Sequence, residues 1–303
     1  MPAADVVVPG SVANLGGGFD TLGVAVQLYL RVRIVDVRDD GAGRLTVVQS
    51  TPPVRGKNAV ERSFEAAVQR TGLRTPSVAV EVTSDIPMAA GLGSSAAATV
   101  AGLRVFERVA GPQDDRVLLG VATAMEGHAD NAAPALFGGL TSVVQIDGED
   151  PRAIRWSWPD DVRLIVATPA VGLATAKARA ALPTSVPRGD AIFNLQRALM
   201  LVHALQNGEW DELREAVKDR WHQDARRSMV PMLGEVLAHD DPAVLGAFLS
   251  GAGPSVAVLA RQDLERVGRV LASMYERAGV EATVRTLKAH QGVGIEEVVG
   301  RAV

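Results

Sequence analysis

Pro87-Met-Ala-Ala-Gly-Leu-Gly-Ser-Ser-Ala96 is the stretch of this chain that decides its fold. A run with alternating valines, residues 77–83, precedes it and is typical of a strand. An apolar run at helical spacing, residues 96–109, follows it. The two glycines in the stretch permit left-handed backbone and close approach to a ligand, and its two serines stand where a helix N-cap is expected. The sequence therefore predicts a strand, a glycine-rich turn and a helix in that order.

The start of the predicted helix can bind an anion. The N–H groups of a first helical turn have no partner within the helix, and the helix dipole adds positive potential there. The segment lacks the Gly-Lys-Ser/Thr ending of a Walker A loop, and it does not match the dinucleotide G-x-G-x-x-G fingerprint. Taken alone, it fits either a phosphate-binding loop or a plain strand-to-helix joint that needs glycine and a serine cap.

Composition and charge narrow the class of protein. The hydrophobic fraction is 47% and the charged fraction 22%, as in globular proteins. The formal net charge is -4 without a long Lys/Arg run, so we expect no nucleic-acid partner. The absence of cysteine excludes disulfides, thiolate catalysis and Cys-ligated metals. No secretory signal pattern and no long apolar stretch occurs, so we expect no membrane association and a cytoplasmic location.

The length of 303 residues suits two domains of about 150 residues each. Strand-like and helix-like segments mix in both halves without a strict βαβ repeat, and a polar break at 147–151 separates them. We therefore expect an α+β fold with two domains. Residues 1–152 would form the N-terminal domain with the phosphate loop, and residues 153–303 a C-terminal domain that completes the substrate site.

Local patterns predict elements around this framework. Residues 44–49 follow an Asp-Asp-Gly turn and are predicted to form a hairpin with the strand at 28–37. In the second half, helices are predicted at 209–220 and 225–239.

The complete glycine-rich string resembles the phosphate loop of the GHMP kinases, named for galactokinase, homoserine kinase, mevalonate kinase and phosphomevalonate kinase. The resemblance implies the GHMP-kinase fold, with a ribosomal-protein-S5-domain-2-like N-terminal domain and a ferredoxin-like α/β sandwich as the C-terminal domain. It also implies that ATP binds at Pro87, Met88, Ala89, Ala90, Gly91, Leu92, Gly93, Ser94, Ser95 and Ala96.

Further stretches are similar to the homoserine kinases within that family. They are residues 9–23, 126–139, 176–183, 190–194 and 219–231. Residues 250–255 resemble the C-terminal glycine motif of the GHMP kinases as a whole. The resemblance implies ATP-dependent phosphorylation of the L-homoserine hydroxyl to O-phospho-L-homoserine, a step of threonine biosynthesis.

The resemblance assigns the two charged ends of the substrate to four residues. Arg179 and Arg226 would bind the carboxylate, and a planar guanidinium suits this because it can donate two parallel hydrogen bonds. Asp20 would bind the ammonium, with Asn14 beside it. From the residues alone, Asn14 and Asp20 equally fit a self-capping Asx turn, and a single arginine fits a solvated helix face.

The resemblance also assigns the reacting end. Asn131 would meet the hydroxyl, with His128 holding the shape of the site. Ser95 and Glu126 would bind Mg²⁺, a cation that prefers oxygen ligands and keeps several waters. Asn58 would lie near the adenine, although an asparagine there is also the expected helix N-cap. The residues alone leave His128 as part of a polar helix-cap cluster and Glu126 as an exposed carboxylate.

Catalysis would involve Asn131, Glu126 and Arg179. Because an amide cannot usefully accept a proton, we expect positioning and charge neutralisation to carry phosphoryl transfer. Three other interpretations remain. The chain could be a GHMP kinase for another alcohol such as mevalonate, shikimate or a sugar, a non-catalytic ligand sensor, or a nucleotide-binding structural protein. A homodimer is a further expectation from the resemblance.

Overall fold

The computed structural model describes residues 5–54 and 56–292 and contains two β-sheets with helices packed on them. The strands are β1 Val6–Ala13, β2 Leu22–Arg38, β3 Leu45–Thr51, β4 Ser77–Ser84, β5 Leu140–Val144, β6 Arg152–Trp156, β7 Arg163–Pro169, β8 Val244–Leu249, β9 Val256–Ala260 and β10 Ala282–Leu287. The α-helices are α1 Ala59–Thr71, α2 Ser94–Ala110, α3 Asp115–Glu126, α4 Ala132–Phe137, α5 Thr175–Ala180, α6 Arg188–Asn207, α7 Leu213–Ala216, α8 Gln223–Arg226, α9 Leu233–Leu237 and α10 Leu264–Arg277.

The first sheet is organised by the long strand β2. Its order is β3-β4-β2-β5-β6, and β1 also pairs with β2. β2 has 17 residues, so different parts of it can pair with different strands. Its beginning pairs with β5 and its end pairs with β4. Helices α1, α2 and α4 cover this sheet, and α2 packs directly on β1.

The second sheet has the antiparallel order β10-β7-β9-β8, and α10 packs on β7 and β10. The larger apolar core is not confined to one sheet. It joins β1 and α2 to buried residues of the second half such as Leu164, Val217 and Leu259. Within the described part of the chain, no helix is both long and apolar enough to cross a membrane.

The predicted hairpin of residues 44–49 with the strand at 28–37 is wrong. β3 pairs in parallel with β4 and does not pair with β2, because β4 lies between them. Parallel neighbours need a crossover, and α1 provides it between the ends of β3 and β4.

The predicted helices at 209–220 and 225–239 are also interrupted. The first is a 3₁₀ turn at Trp210–Glu212 followed by the single turn of α7. The second is divided into α8, a 3₁₀ turn at Arg227–Met229, and α9. Pro231 and the left-handed Met232 (φ 63°) stand at the break, and neither can continue a helix.

The division at 152/153 stays a proposal, and the strand order favours a later position for it. β6 begins at Arg152 and pairs with β5 in the first sheet, so the link at 157–162 separates the sheets better. After β10 the chain returns to the first sheet, where the Gly139 N–H donates to the His290 carbonyl at 2.7 Å. The ends of the two proposed domains, 1–4 and 293–303, lie outside the described residues.

One close helix contact offers a test of the packing. A Cβ on Gly102 of α2 would lie 2.1 Å from both Ser63 Oγ and the Val60 carbonyl oxygen of α1. We expect Gly102→Ala to lower the free energy of unfolding by about 1–2 kcal/mol in urea titrations, because overlap with α1 outweighs the better helix propensity of alanine. Gly189→Ala in α6 is the matched control, since no atom lies within 4 Å of its added Cβ. Equal stabilisation of both variants would contradict the packing.

Candidate active site

The phosphate loop lies between β4 and α2, as the sequence predicts, but its cap differs. The residue that precedes α2 is Gly93, in left-handed conformation with φ 71°, and no side chain caps the helix. The expectation that Ser94 or Ser95 serves as N-cap is wrong, because both are already helical. The first N–H groups of α2 therefore have no capping side chain in front of them, which suits an anionic ligand.

The glycines of the loop allow contact with the protein's own chain. A Cβ on Gly91 would lie 2.3 Å from the Ser250 carbonyl oxygen, and one on Gly93 would lie 2.1 Å from Ser11 Oγ. Ser250 Oγ also donates to the Gly91 carbonyl at 2.6 Å. The turn at 250–255 thus clamps the phosphate loop from the second half of the chain. The sequence predicts close approach at these glycines, and the structure shows that the approaching groups are the Ser250 carbonyl and the Ser11 hydroxyl.

Ser95 and Glu126, the expected metal ligands, lie together. Ser95 Oγ donates to Glu126 Oε1 at 2.9 Å. Thr99, buried one turn further along α2, donates to the same oxygen at 2.8 Å. Sequence analysis missed Thr99, although its i, i+4 spacing from Ser95 places both hydroxyls on one helix face. Glu126 ends α3, where the left-handed Gly127 stops the helix. The carboxylate is therefore oriented by two hydroxyls.

Asn14 holds the loop that follows β1. Its backbone is left-handed with φ 73°, and its side chain is buried. Nδ2 donates to the Gly251 carbonyl at 2.9 Å, and Oδ1 accepts from the Asp20 N–H at 3.0 Å. Both ends of the amide bind protein groups, so Asn14 fixes the backbone of Asp20 and connects it to the turn at 250–255.

Asp20 and Arg179 bind each other. Arg179 Nη2 and Nη1 donate to the two carboxylate oxygens of Asp20 at 2.6 and 3.0 Å. Burial lowers the pKa of Arg179, but the hydrogen bond and charge of Asp20 outweigh burial and raise that pKa overall. Two residues that the resemblance assigns to opposite ends of the substrate therefore form a bidentate ion pair with each other.

Arg226 is the buried cation of the site, with 1% exposure. Its Nε donates to the Ala178 carbonyl at 3.1 Å, and its Nη1 donates to the Gly251 carbonyl at 3.2 Å and to His222 Nδ1 at 3.3 Å. Among the described residues, no carboxylate forms an ion pair with it.

Burial, and then the charge of Arg179, lower the pKa of Arg226. The charges of Asp20, Asp219 and Asp130 act in the opposite direction and raise that pKa, but none of them forms an ion pair with Arg226. A buried charge without a counter-ion in direct contact is costly, so this position favours an anionic ligand.

Phe19 and His222 complete the wall around the arginines, and sequence analysis did not select either. The Phe19 ring centroid lies 5.9 Å from the Arg179 guanidinium carbon and 5.4 Å from that of Arg226. The ring stacks on His222 at 5.1 Å. Burial lowers the pKa of His222, which fits a neutral ring whose Nε2–H donates to the Gly16 carbonyl at 3.0 Å. Its Nδ1 is then free to accept from Arg226.

His128, Asp130 and Asn131 form a polar cluster beside the start of α2. His128 Nδ1 lies 2.5 Å from Asp130 Oδ1, and Asn131 Nδ2 donates to the same oxygen at 3.3 Å. Burial lowers the pKa of His128, but the hydrogen bond and charge of Asp130 reverse the effect and raise it overall. Asn131 Oδ1 accepts from Ser11 Oγ at 2.9 Å and lies 3.2 Å from the position of a Cβ on Gly93. The candidate hydroxyl-binding amide therefore lies next to the phosphate loop. Asp130 was missed as a site residue.

Asn58 is the N-cap of α1. Its Oδ1 accepts from the Val60 N–H at 3.1 Å, and its own N–H donates to the Glu61 carboxylate at 2.9 Å, which makes a capping box. The cap explains the asparagine locally, and an adenine contact stays a prediction.

The first four residues of the predicted ATP segment, 87–90, lie at the other end of the loop. They line a cavity of about 240 Å³ together with residues 168–172, Thr283 and Arg285.

Family models place the chain among known proteins. The description "GHMP kinases N terminal domain" matches residues 58–139, and "GHMP kinases C terminal" matches residues 201–277. Homoserine kinase of Thermus thermophilus is 38% identical over 296 residues, which cover 96% of this chain and 94% of that protein. Homoserine kinase of Deinococcus radiodurans is 41% identical over 253 residues, which cover 83% of this chain and 82% of that protein.

Solved structures agree. The crystal structure of homoserine kinase from Cytophaga hutchinsonii is 26% identical, covers 96% of both chains and has a TM-score of 0.83. Mevalonate kinase of L. major in complex with R-mevalonate shares the fold, with 17% identity, a TM-score of 0.69, and coverage of 94% of this chain and 95% of that one. These matches confirm the expected GHMP-kinase fold and the use of ATP that the kinase family implies. The chain therefore belongs to the GHMP kinase family and, within it, to the homoserine kinases.

Proposed function

We propose that the protein transfers the γ-phosphoryl group of ATP to the hydroxyl of L-homoserine and forms O-phospho-L-homoserine. The observation that carries this proposal is the buried Arg226 guanidinium, which has no carboxylate partner among the described residues, next to the Asp20–Arg179 pair. This arrangement offers both signs of charge to one small ligand. The sequence relatives, which are named homoserine kinases, support the same substrate.

The nucleotide would lie with its phosphates at the uncapped start of α2, over residues 91–95. Mg²⁺ would be held by Ser95 and Glu126. The described residues contain no group of three or more His, Cys, Asp or Glu side chains that could hold a metal by themselves. One hydroxyl and one carboxylate nevertheless fit a hard cation that takes its other ligands from phosphates and water. When bound, the metal would neutralise charge on the phosphates.

The substrate would span the space between the arginines and the phosphate loop. Arg226 anchors the carboxylate, with Arg179 as second donor, and Asp20 meets the ammonium. The hydroxyl then lies beside Asn131, which orients it toward the γ-phosphate. His128, held by Asp130, shapes the wall. Because Asn131 is an amide, positioning and charge neutralisation account for the acceleration, and a strong base at that atom is not needed.

Other kinase substrates fit this site less well. Mevalonate, shikimate and sugars carry no ammonium, so they leave the Asp20 carboxylate without a ligand partner. A cytoplasmic location remains a prediction from the sequence pattern, and a homodimer remains a prediction from the family resemblance.

A substrate panel tests the function directly. ADP release should be measured with homoserine, mevalonate, shikimate and galactose, each with and without Mg²⁺. We expect turnover with homoserine and Mg²⁺ alone. Turnover with another alcohol and none with homoserine would contradict the proposal, and no turnover with any of them would favour a ligand sensor.

Arg226→Lys tests the carboxylate anchor. Lysine keeps the charge but loses the planar set of donors, so we expect the KM for homoserine to rise about 10- to 100-fold while the KM for ATP stays within about twofold. Arg261→Lys is the matched control, because Arg261 pairs with Asp161 on the exposed surface. An equal increase of both KM values in Arg226→Lys would contradict a role in homoserine binding.

Thr99→Val tests the support of the metal ligand. Valine has the shape of threonine without its hydroxyl, so Glu126 loses one of two orienting hydrogen bonds. We expect Mn²⁺ binding in the presence of ADP, followed by electron paramagnetic resonance, to weaken about fivefold. Thr99→Ser should restore it, and Glu126→Gln should weaken it further and lower kcat. Binding by Thr99→Val as tight as in the original protein would contradict this role.

A further inference from the structure

The ion pair between Asp20 and Arg179 occupies groups that the proposed function requires for the substrate. The two hydrogen bonds of 2.6 and 3.0 Å place the Asp20 carboxylate on the guanidinium as a bidentate ligand. This is the geometry in which an arginine binds a substrate carboxylate. Asp20 therefore takes the place on Arg179 that the substrate carboxylate would use.

The two partners differ in how firmly they are held. The backbone of Asp20 is fixed, because its N–H donates to Asn14 Oδ1 and Asn14 is bound to Gly251. Arg179 is a long side chain on the six-residue helix α5. Both side chains of the pair are about a third exposed, so the partners differ in the fixed backbone of Asp20 and in the length of the arginine side chain. The guanidinium is thus the partner with more freedom to reorient when a ligand enters.

Arg226 provides a contrast that separates the two arginines. It is buried, and its hydrogen bonds go to two backbone carbonyls and a neutral imidazole. No carboxylate of the described residues has to leave before Arg226 receives an anion. Competition between Asp20 and a ligand carboxylate therefore arises only at Arg179.

We propose that Asp20 is a specificity-determining residue that competes with an incoming carboxylate for Arg179 and yields it only to ligands that also bring an ammonium group. This inference rests on the proposed function. A zwitterion replaces one internal ion pair by two, ammonium with Asp20 and carboxylate with Arg179. An acid without the ammonium can gain Arg179 as a second donor only by breaking the internal pair, which leaves Asp20 without a counter-ion, so it binds more weakly.

The same reasoning applies to a ligand that has the ammonium group but lacks the carboxylate. A ligand with an ammonium and no carboxylate can take Asp20 only by leaving the Arg179 charge without its partner, close to the second cation, Arg226. The internal pair therefore weakens the binding of each half of the substrate presented alone. A site in which Asp20 only receives the ammonium would reject the acid simply because one contact is missing, and this difference makes the two roles separable.

Asp20→Asn separates them. Asn tolerates the left-handed backbone of this position, where φ is 53°, so the fold should be retained. Binding of L-homoserine and of 4-hydroxybutanoate, which is homoserine without its amino group, should be measured by calorimetry. We expect the variant to bind homoserine at least tenfold more weakly and 4-hydroxybutanoate about fivefold more tightly, because Arg179 is released from its internal partner.

Arg179→Gln is the reciprocal variant. It releases Asp20, so 3-aminopropan-1-ol, which is homoserine without its carboxylate, should bind about fivefold more tightly than to the original protein. Glu81→Gln is the matched control. It removes a comparable two-bond ion pair with Arg33 on the first sheet, where Nη2 and Nε donate at 2.6 and 3.2 Å, and it should change no ligand's affinity.

The outcomes distinguish a failure of the proposed competition from a failure of the proposed function. Unchanged or weaker binding of 4-hydroxybutanoate to Asp20→Asn overturns the competition, even if homoserine is phosphorylated normally by the original protein. Failure of the original protein to phosphorylate homoserine overturns the proposed function instead. Tighter binding of each half-substrate to the variant that releases its partner supports the inference.

Discussion

The close contact between the phosphate loop and the turn at 250–255 is the interaction on which the rest of the site depends. The loop belongs to the first half of the chain and the turn to the second. They approach so closely at Gly91 that any side chain there would overlap the Ser250 carbonyl. The Gly251 carbonyl beside it accepts from Asn14 and from Arg226. One short turn therefore connects the candidate phosphate site, the Asp20 loop and the buried arginine.

This arrangement brings two cations close together and buries one of them, which costs electrostatic free energy. Two guanidinium groups lie against the same aromatic ring, and only Arg179 has a carboxylate partner among the described residues. Burial of Arg226 is unfavourable for the charged form and is compensated in part by backbone carbonyls and by a neutral histidine. A substrate carboxylate would supply the missing charge. Relief of this unfavourable placement would then contribute to the binding free energy of an anion, as buried polar groups contribute to selectivity in other sites.

Sequence reasoning succeeded where a local pattern has one physical solution. A strand, a glycine-rich turn and an apolar helix were predicted around residues 87–96 and are present, and Asn58 begins its helix as an N-cap. It failed where partners distant in the chain decide. Residues 44–49 have a strand pattern, but α1 returns the chain after them so that β4 lies between them and β2. Residues 225–239 have helical periodicity, but Pro231 and the left-handed Met232 divide them.

The sequence by itself determined the family, the glycine-rich turn of the candidate phosphate loop and the chemical types around it, because these depend on a contiguous string and on motifs whose residues are close together. Only the tertiary structure decided how the selected groups are used. It paired Asp20 with Arg179 across 159 positions, placed Thr99 on the Glu126 carboxylate, and left Arg226 buried with no such partner in the described chain. The physical reason is that charge pairing and burial depend on distances in space. Spacing along the chain fixes those distances only within one helix, strand or turn.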